Sequence, residues 1–589
     1  MALKEILAAD DWKDIIIPTL SGGLNNFLDP DNLENTELSR AENVRVSGDK
    51  VIDPFGYSKY HGGVAVLGTP MDVISFEAQA GTKTSLLVTT LSLFIDIGTQ
   101  WKLVPTIVVD TIDENETTGA TVINIADTTS FVAGNPVSIE LDSGAFHHST
   151  ISSISAGVSI TIAVGIPSAA SIGNDVQQGY KFTGDTDDIF SMVSIPWSDQ
   201  VAITNNKDQV QVFTNSSGTI ASLTNPAGVT TLLCKVLAVY DSSLWLLNIT
   251  ENGTPYTQRV RACDKADITE WVTGVAYSSD LFESTKPITS ASKLGPYLII
   301  YRERGIHRVS LATDPSKRFE IFQMLSSQGV AGIGSVVNLH QNQQMFWGID
   351  NFYTYQGGFD ATPVGDKIKH LVFGETGESD PDADHKRRLL HLEDFDEVLC
   401  VYQGVGDTEP VRAVLFKNEE DRWTYRKFAH PVRGASKVSS DVSITWQTAI
   451  GTWNSQSETW QSAFLGTNAA VLVFASDTYT YSVNPSVSDD DGTAITRYVE
   501  TKDFSESPNK GRIDFIEVKI AGGSINVDYS TNEGISWQSY GVIAAAATEA
   551  LYRIYKQFIY ESLRFRFSSS VSGFRLYNMK MRVTIESEV

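Results

Sequence analysis

The chain has 589 residues, of which 42% are hydrophobic, 10% aromatic and 20% charged, enough apolar material for large cores and too much for a disordered chain. Its 45 basic side chains face 71 acidic ones, a formal net charge of −26, which weighs against a surface built to grip phosphates through clustered Lys and Arg. An acidic wall that DNA only slides past stays compatible with this charge, and so does plain solubility.

The start, MALKEILAADDWKD, has no cationic region followed by an apolar stretch, and no run approaches the length of a membrane span. A soluble protein made in a cytoplasm, with neither signal peptide nor membrane helix, is therefore expected. Residues 1–63 read as an N-terminal extended arm with a Gly22-Gly23 hinge, a Pro30 turn and a short helix over 35–43. Such an arm must bury its few apolar residues on its own hub or on a neighbour's.

Residues 64–104 and 180–490 repeat one local pattern of strand, tight turn, aromatic strand and polar turn. Six hairpins carry it: TSLLVTTLSLFIDI, VAITNNKDQVQVFTN, VLAVYDSSLWLLNI, PYLIIYRERGIHRVSL, QQMFWGIDNFYTYQGG and VLVFASDTYTYSVN. The nearly all-apolar first strand of each pair is what an innermost propeller strand buried on both faces would show. This predicts an all-β fold with a β-propeller core of about six to eight blades. Two further short helices are predicted, over 366–373 and 385–393.

Residues 105–179 interrupt the pattern. They contain no Lys or Arg, are dense in Ser, Thr, Ala, Gly and Ile, and alternate cleanly, which predicts a small inserted β-domain with its two ends side by side. From 491 to 589 seven alternating segments follow in quick succession, the density of a C-terminal β-sandwich, with local basic runs such as YRIYK and RLYNMKMR.

The three cysteines, Cys234, Cys263 and Cys400, fit neither a disulfide framework nor a metal pattern and read as buried small hydrophobes. Ser530 to Trp537 (STNEGISW) is similar to an Asp-box turn with Asn532 in the Asp position, a structural hairpin. Asp29-Pro30-Asp31-Asn32 and Asp489-Asp490-Asp491-Gly492 lack the distal Glu of a calcium loop and read as solvated turns. His147 and His148, adjacent on a strand, point to opposite faces and cannot chelate one ion. His385, Arg387, Arg388 and His391 read as a cationic helix face after the acidic ESDPDAD loop. No G-x-S-x-G, H-E-x-x-H, P-loop or G-x-G-x-x-G occurs, so no catalytic, metal or cofactor-binding residue is assigned and none is expected. Two carboxylates distant in sequence suffice for a glycosidase, which keeps that chemistry as an alternative.

The most distinctive stretch is 17–60, IPTLSGGLNNFLDPDNLENTELSRAENVRVSGDKVIDPFGYSKY. It resembles the N-terminus of tail nozzle (tail-hub) proteins of short-tailed bacteriophages, in which a GG(L/I)N segment precedes a "p-x-x-L…s-x-A-x-N-v-x-v…G" pattern. Gly22, Gly23, Leu24, Asn25, Leu33, Ser39, Ala41, Asn43, Val44, Val46 and Gly56 carry the match. The departure is Asp53-Pro54-Phe55, where members often carry a basic pair before Pro. VRACDKADITEWVTG, followed by YLIIYRERGIHRV, is similar to the mid-propeller region of the same proteins.

The resemblance implies a homohexameric ring below the tail adaptor. Its channel passes the genomic DNA on ejection without sequence-specific binding, and its lower rim meets a fibre, spike or needle. It implies a structural virion protein, assembled in the host cytoplasm, with the matched residues of the arm serving assembly. The alternative from another class is a carbohydrate-binding or glycan-hydrolysing propeller, adhesin- or tailspike-like.

Overall fold

The computed structural model describes residues 12–586, apart from 284, 315–316, 341, 375–376, 439–470, 485–486 and 506–509. The first eleven residues, where no signal peptide is expected, lie outside the described ones, and no described helix is long and apolar enough to cross a membrane.

The fold is all-β, with a propeller core, an inserted β-domain and a C-terminal sandwich. Blade 1 comprises Pro70–Glu77, Lys83–Thr89, Leu93–Asp96 and Trp101–Leu103, and blade 2 Ser191–Ile195, Gln200–Thr204, Gln211–Thr214 and Thr219–Ser222. Blade 3 runs from Leu232–Tyr240 to Tyr277–Asp280, blade 4 from Ile288–Leu294 to Phe319–Leu325, and blade 5 from Val336–His340 to Ala361–Pro363. Blade 6 begins at Arg388–Leu392 and ends at Arg422–Lys427. Blade 7 takes Ala435–Val438, Val471–Ala475 and Thr480–Asn484 from late in the chain and Gly56–Lys59 from its beginning. Among the described residues seven blades thus form the ring, and the strand Gly56–Lys59 closes it.

The blades pack through their second strands, whose alternate residues face opposite neighbours. Leu86 and Val88 of blade 1 meet Val201 and Phe213 of blade 2, whereas Leu87 meets Val473 and Ala475 of blade 7. Trp245 and Leu247 meet Leu298 and Ile300, Tyr301 meets Phe346 and Tyr355, and Leu399 and Val401 meet Phe474 and Tyr481. Burial on both faces explains why these strands are continuous apolar runs. Most of the apolar runs predicted as innermost strands are these second strands. The innermost strands are more polar because one face looks into the axis, as in Ser191–Ile195, of which only Ile195 is fully buried.

Two predicted helices are strands. Within 35–43, Leu38–Glu42 pairs with Arg497–Thr501 on one side and meets Tyr425 on the other, so tertiary pairing overrides local helix propensity. Over 385–393, a 3-10 turn at Pro381–Lys386, capped by Asp380, gives way to the strand Arg388–Leu392, every residue of which pairs with Glu397–Val401. The cationic helix face read from His385, Arg387, Arg388 and His391 therefore does not form. The segment 366–373 is a 3-10 turn, Asp366–Ile368, followed by one helical turn, Lys369–Val372.

Residues 12–63 are woven into sheets rather than laid over them as an arm. Trp12–Ile17 pairs with Arg575–Glu586, and the hairpin Arg45–Ser47/Lys50–Ile52 joins the same sheet, which continues through Lys510–Ala521 to Ala550–Tyr560. The second sandwich sheet, containing Ser562–Ser569, Gly523–Ser530 and Gln538–Ala545, runs on through Leu38–Glu42 into blade 6. Ile516, Val518, Val527 and Phe567 fill the sandwich, and the same core reaches Leu24, Leu38, Trp423 and Trp347.

The insertion occupies the crossover from blade 1 to blade 2. Its six strands run Pro105–Thr111, Asp175–Gly179, Pro136–Glu140, Phe146–Ser155, Ser159–Ile162 and Val122–Asn124. The two end strands meet again through the Ile112–Ile125 bridge and the Asp113 N–H donating to Asn124 O at 2.9 Å, closing a small barrel. His148 docks it on blade 1, its Nε2 lying 2.8 Å from Trp101 O, while His147 turns the other way to Val164 O.

Candidate functional site

Two places gather the polar chemistry of the chain: the seam where the N-terminal segment locks blade 6 to the sandwich, and the axis of the propeller.

Every matched position singled out for the assembly arm has a defined job at or beside the seam, within its own chain. The Gly22 N–H donates to Thr36 O at 2.8 Å, and a Cβ on Gly22 would sit 2.5 Å from that oxygen. Gly23, at φ +82°, lies against the Trp423 backbone, and Leu24 N–H donates to Trp423 O at 2.7 Å. Asn25 Nδ2 donates to buried Glu37 at 3.0 Å while its Oδ1 accepts from Phe27 N–H, fixing the following turn. Ser39 Oγ donates to Thr501 O at 2.7 Å, and Ala41 is wholly buried opposite Val499.

Asn43 adopts a left-handed backbone at φ +53°. It donates to Thr496 O at 2.9 Å and accepts from the Lys427 N–H at 2.9 Å, so one side chain bridges blade 6 and the sandwich. Gly56 opens the closure strand where a Cβ would run into the Val487 and Asp489 carbonyls, both closer than a side chain tolerates. At the departure from the family pattern, Asp53 pairs with fully buried Arg497 at 2.6 Å, so the basic partner here is supplied from 444 residues further along the chain. Asp490, read from sequence as part of a solvated turn, is instead buried against Arg426 at 2.5 Å.

The axis is closed by the turn before blade 6. Lys386 reaches across to Asp187, just ahead of blade 2, at 2.6 Å. Arg387 bonds Asp384 and donates to Ser379 at 3.1 Å, with its guanidinium 4.9 Å from the centre of the Trp347 ring. On one side of this turn a mouth of about 470 Å³ is lined by Asp187, Asp188, Asn205, Lys235, His385 and Gln403, among others. Behind it, beside Met71, Arg388 and Arg433, the space shrinks to about 20 Å³, room for a water or two.

Asp72 of blade 1 is close enough to feel the charge of Arg388 of blade 6, which lines this narrow part. Desolvation pushes its carboxyl up to about 6 despite the arginine, and burial also lowers the pKa of Arg388. Asp187 is held below the usual carboxylate range by Lys386, and Asp188 pairs with Lys207 at 2.9 Å. Glycoside cleavage asks for a protonated acid and an ionised partner flanking one substrate bond. Asp72, the carboxyl that keeps its proton, does not line the mouth, where Asp187 and Asp188 are tied to lysines and Asp380 accepts from the Asp382 N–H.

No family model matches the sequence, and no curated protein is similar to it. Among solved structures, the exo-β-1,3-galactanase of Phanerochaete chrysosporium is 9% identical over 80% of this chain and 100% of that one, with a TM-score of 0.24. The extracellular domain of a putative hybrid two-component system from B. thetaiotaomicron is 10% identical over 88% of this chain and 76% of that one, at 0.26. These overlaps are too loose to carry a functional argument.

The seam was legible in part: the glycines, Asn25 and Asn43 stood out, but Glu37, Trp423 and Arg497, which receive them, gave no local signal. Of the axial cluster, His385, Arg387, Arg388 and the acidic loop before them stand out in the sequence, but as a solvated helix face; Asp72, Asp187 and Lys235, which lie in or beside blades 1, 2 and 3, give no local signal.

Proposed function

We propose that this chain is the subunit of a phage tail nozzle: a non-enzymatic virion protein that forms a ring, by the family resemblance of six copies, below the tail adaptor and passes DNA on ejection. The observation that carries the reading is the seam. The pattern shared with nozzle proteins falls on positions whose glycines, small residues and amides splice a propeller to a sandwich in one rigid subunit, so the motif and the architecture explain each other. The acidic surface suits a lumen through which DNA slides. On this reading the lumen lies between copies of the chain. Partners are the adaptor above and a fibre, spike or needle below, with no cofactor.

The test is electron microscopy of the purified protein alone and mixed with its tail adaptor. Rings are expected in at least the second sample. A protein that stays monomeric and ignores adaptor complexes overturns the reading.

The polar mouth of about 470 Å³, with acids and amides beside one another, favours a second reading as a carbohydrate-binding propeller. A glycan array and a reducing-sugar assay separate the two, because the nozzle reading expects both to be blank.

A further inference from the structure

One cation at the axial mouth has no counter-ion. Lys235 stands on Leu232–Tyr240, the innermost strand of blade 3, and its half-buried side chain lines the space of about 470 Å³. The carboxylates around it are engaged elsewhere: Asp187 with Lys386, Asp188 with Lys207, and Asp380 with the Asp382 N–H at 3.0 Å. Among the described residues no carboxylate pairs with Lys235, and burial alone acts on its ammonium, pushing the pKa down. In a chain with a net charge of −26 a half-buried cation that no acid answers is an exception, and it costs stability as it stands.

Two polar atoms beside it are also left unpaired. Gln403 donates through Nε2 to Asp407 O at 2.9 Å, but its Oε1 is buried and receives no hydrogen bond, and His385 Nε2 is buried without a partner as well. Burial and the neighbouring Lys386 hold the His385 imidazole below its ordinary pKa, so at pH 7 the ring is neutral and Nε2 can accept or donate. Each such atom carries the cost of an unmade hydrogen bond. Ile189 and Ala383 are the only apolar side chains on the described wall, which has no Phe, Tyr or Trp, so a ligand there is not held by aromatic and apolar contact as in most small-molecule sites.

An occupant that satisfies all three groups carries one negative charge and several hydroxyls. A dianion such as phosphate asks for a second free cation, and Lys386 is committed to Asp187. A neutral sugar leaves Lys235 unanswered. We propose that the mouth binds a sugar residue bearing one carboxylate, such as a hexuronate, with the carboxylate on the Lys235 ammonium and the hydroxyls on Gln403 Oε1 and His385 Nε2. The proposal rests on the carbohydrate reading of the mouth and names the class of sugar that it takes.

The test is saturation-transfer NMR and calorimetric titration of the full-length protein with glucuronate, glucose and acetate, repeated in Lys235→Met and Gln403→Leu. Glucuronate should bind about ten-fold tighter than glucose or acetate, the gain expected of one charge-assisted hydrogen bond. Lys235→Met should bring glucuronate down to the level of glucose and should melt no earlier than the native protein, because it removes an unpaired charge. Gln403→Leu should weaken both sugars. Equal affinity for glucuronate and glucose, or a preference that survives Lys235→Met, overturns the proposal and leaves the carbohydrate reading standing. A Lys235→Met protein that melts well below the native one also overturns it, since the lysine is then structural. Acetate as tight as glucuronate, or a Gln403→Leu protein that binds like the native one, overturns the placement of the hydroxyls. Binding of neither sugar overturns the carbohydrate reading and this proposal together.

Discussion

Arg426 of blade 6 and Asp490, beside the closure strand of blade 7, form an ion pair of 2.5 Å with both side chains almost wholly removed from water. Burial raises the pKa of Asp490 and lowers that of Arg426, so each ion is held only by the other and a few polar contacts. Arg426 also reaches Phe55 O, which ties the pair to the start of the closure strand.

Removing one partner leaves a stranded buried charge. Arg426→Met should cost about 3–5 kcal/mol, while Arg426→Met with Asp490→Leu should recover most of it, because a buried pair replaced by apolar groups is close to neutral. Denaturant unfolding of the two variants checks this. Equal losses in both would mean that the pair itself, rather than its unbalanced half, holds the junction.

Asp72 gives a pH dependence of definite sign. Its folded pKa, about 6, lies above the ordinary aspartate value of 3.8, so the folded state holds the proton more tightly. The associated stability is complete below pH 3.8 and is lost as pH rises to 6, a change of up to about 3 kcal/mol. In Asp72→Asn this part of the pH slope should vanish. Stability measured at steps across that window, with the variant's curve subtracted from the native one, isolates the contribution.

Gly22 and Gly23 should be intolerant for different reasons. Alanine at 22 drives a Cβ into Thr36 O, and alanine at 23 must hold φ +82° against the Trp423 backbone. Each should cost about 2–4 kcal/mol. Gly48, at φ +61° with open space around it, is the control and should lose only about 1 kcal/mol on the same change. Thermal melting of the three variants ranks them.

Tyr57 is the anchor of the closure strand. It is fully buried, its ring packs on Phe428, Phe474 and Tyr481, and its hydroxyl accepts the His430 N–H at 3.1 Å. Tyr57→Ala should cost about 3–5 kcal/mol. Limited proteolysis should then cut first between blades 7 and 1 or within blade 7. Unchanged protease resistance would show that the ring stays shut without this ring system.

Much of the propeller was visible because the second strand of a blade is buried on both faces and its hairpin partner is local, as in 83–96 and 297–311. Blade 6 was hidden for two reasons. Leu389, Leu390 and Leu392 mimic helical spacing, and the loop 403–411 separates its two central strands too widely to read as a hairpin. The inserted domain announced itself by lacking any cation. The N-terminal strands did not, since Trp12, Ala41 and Tyr57 find partners at Thr584, Val499 and Val483, more than 400 residues away. Distance in the chain, rather than weak propensity, made them illegible.

The closure strand has a consequence for how the molecule comes into being. Gly56–Lys59 is made early, and Thr480–Asn484, which it pairs with, about 420 residues later. At roughly 5–20 residues per second of synthesis, that strand waits about 20 to 85 seconds with an unpaired edge. The acidic and glycine-rich residues that flank it, Asp49, Asp53, Gly62 and Gly63, are well placed to keep the waiting segment from finding the wrong partner. The blade completed last among the seven thus takes up a strand made some 420 residues before it, and a nascent chain released early would carry an open ring.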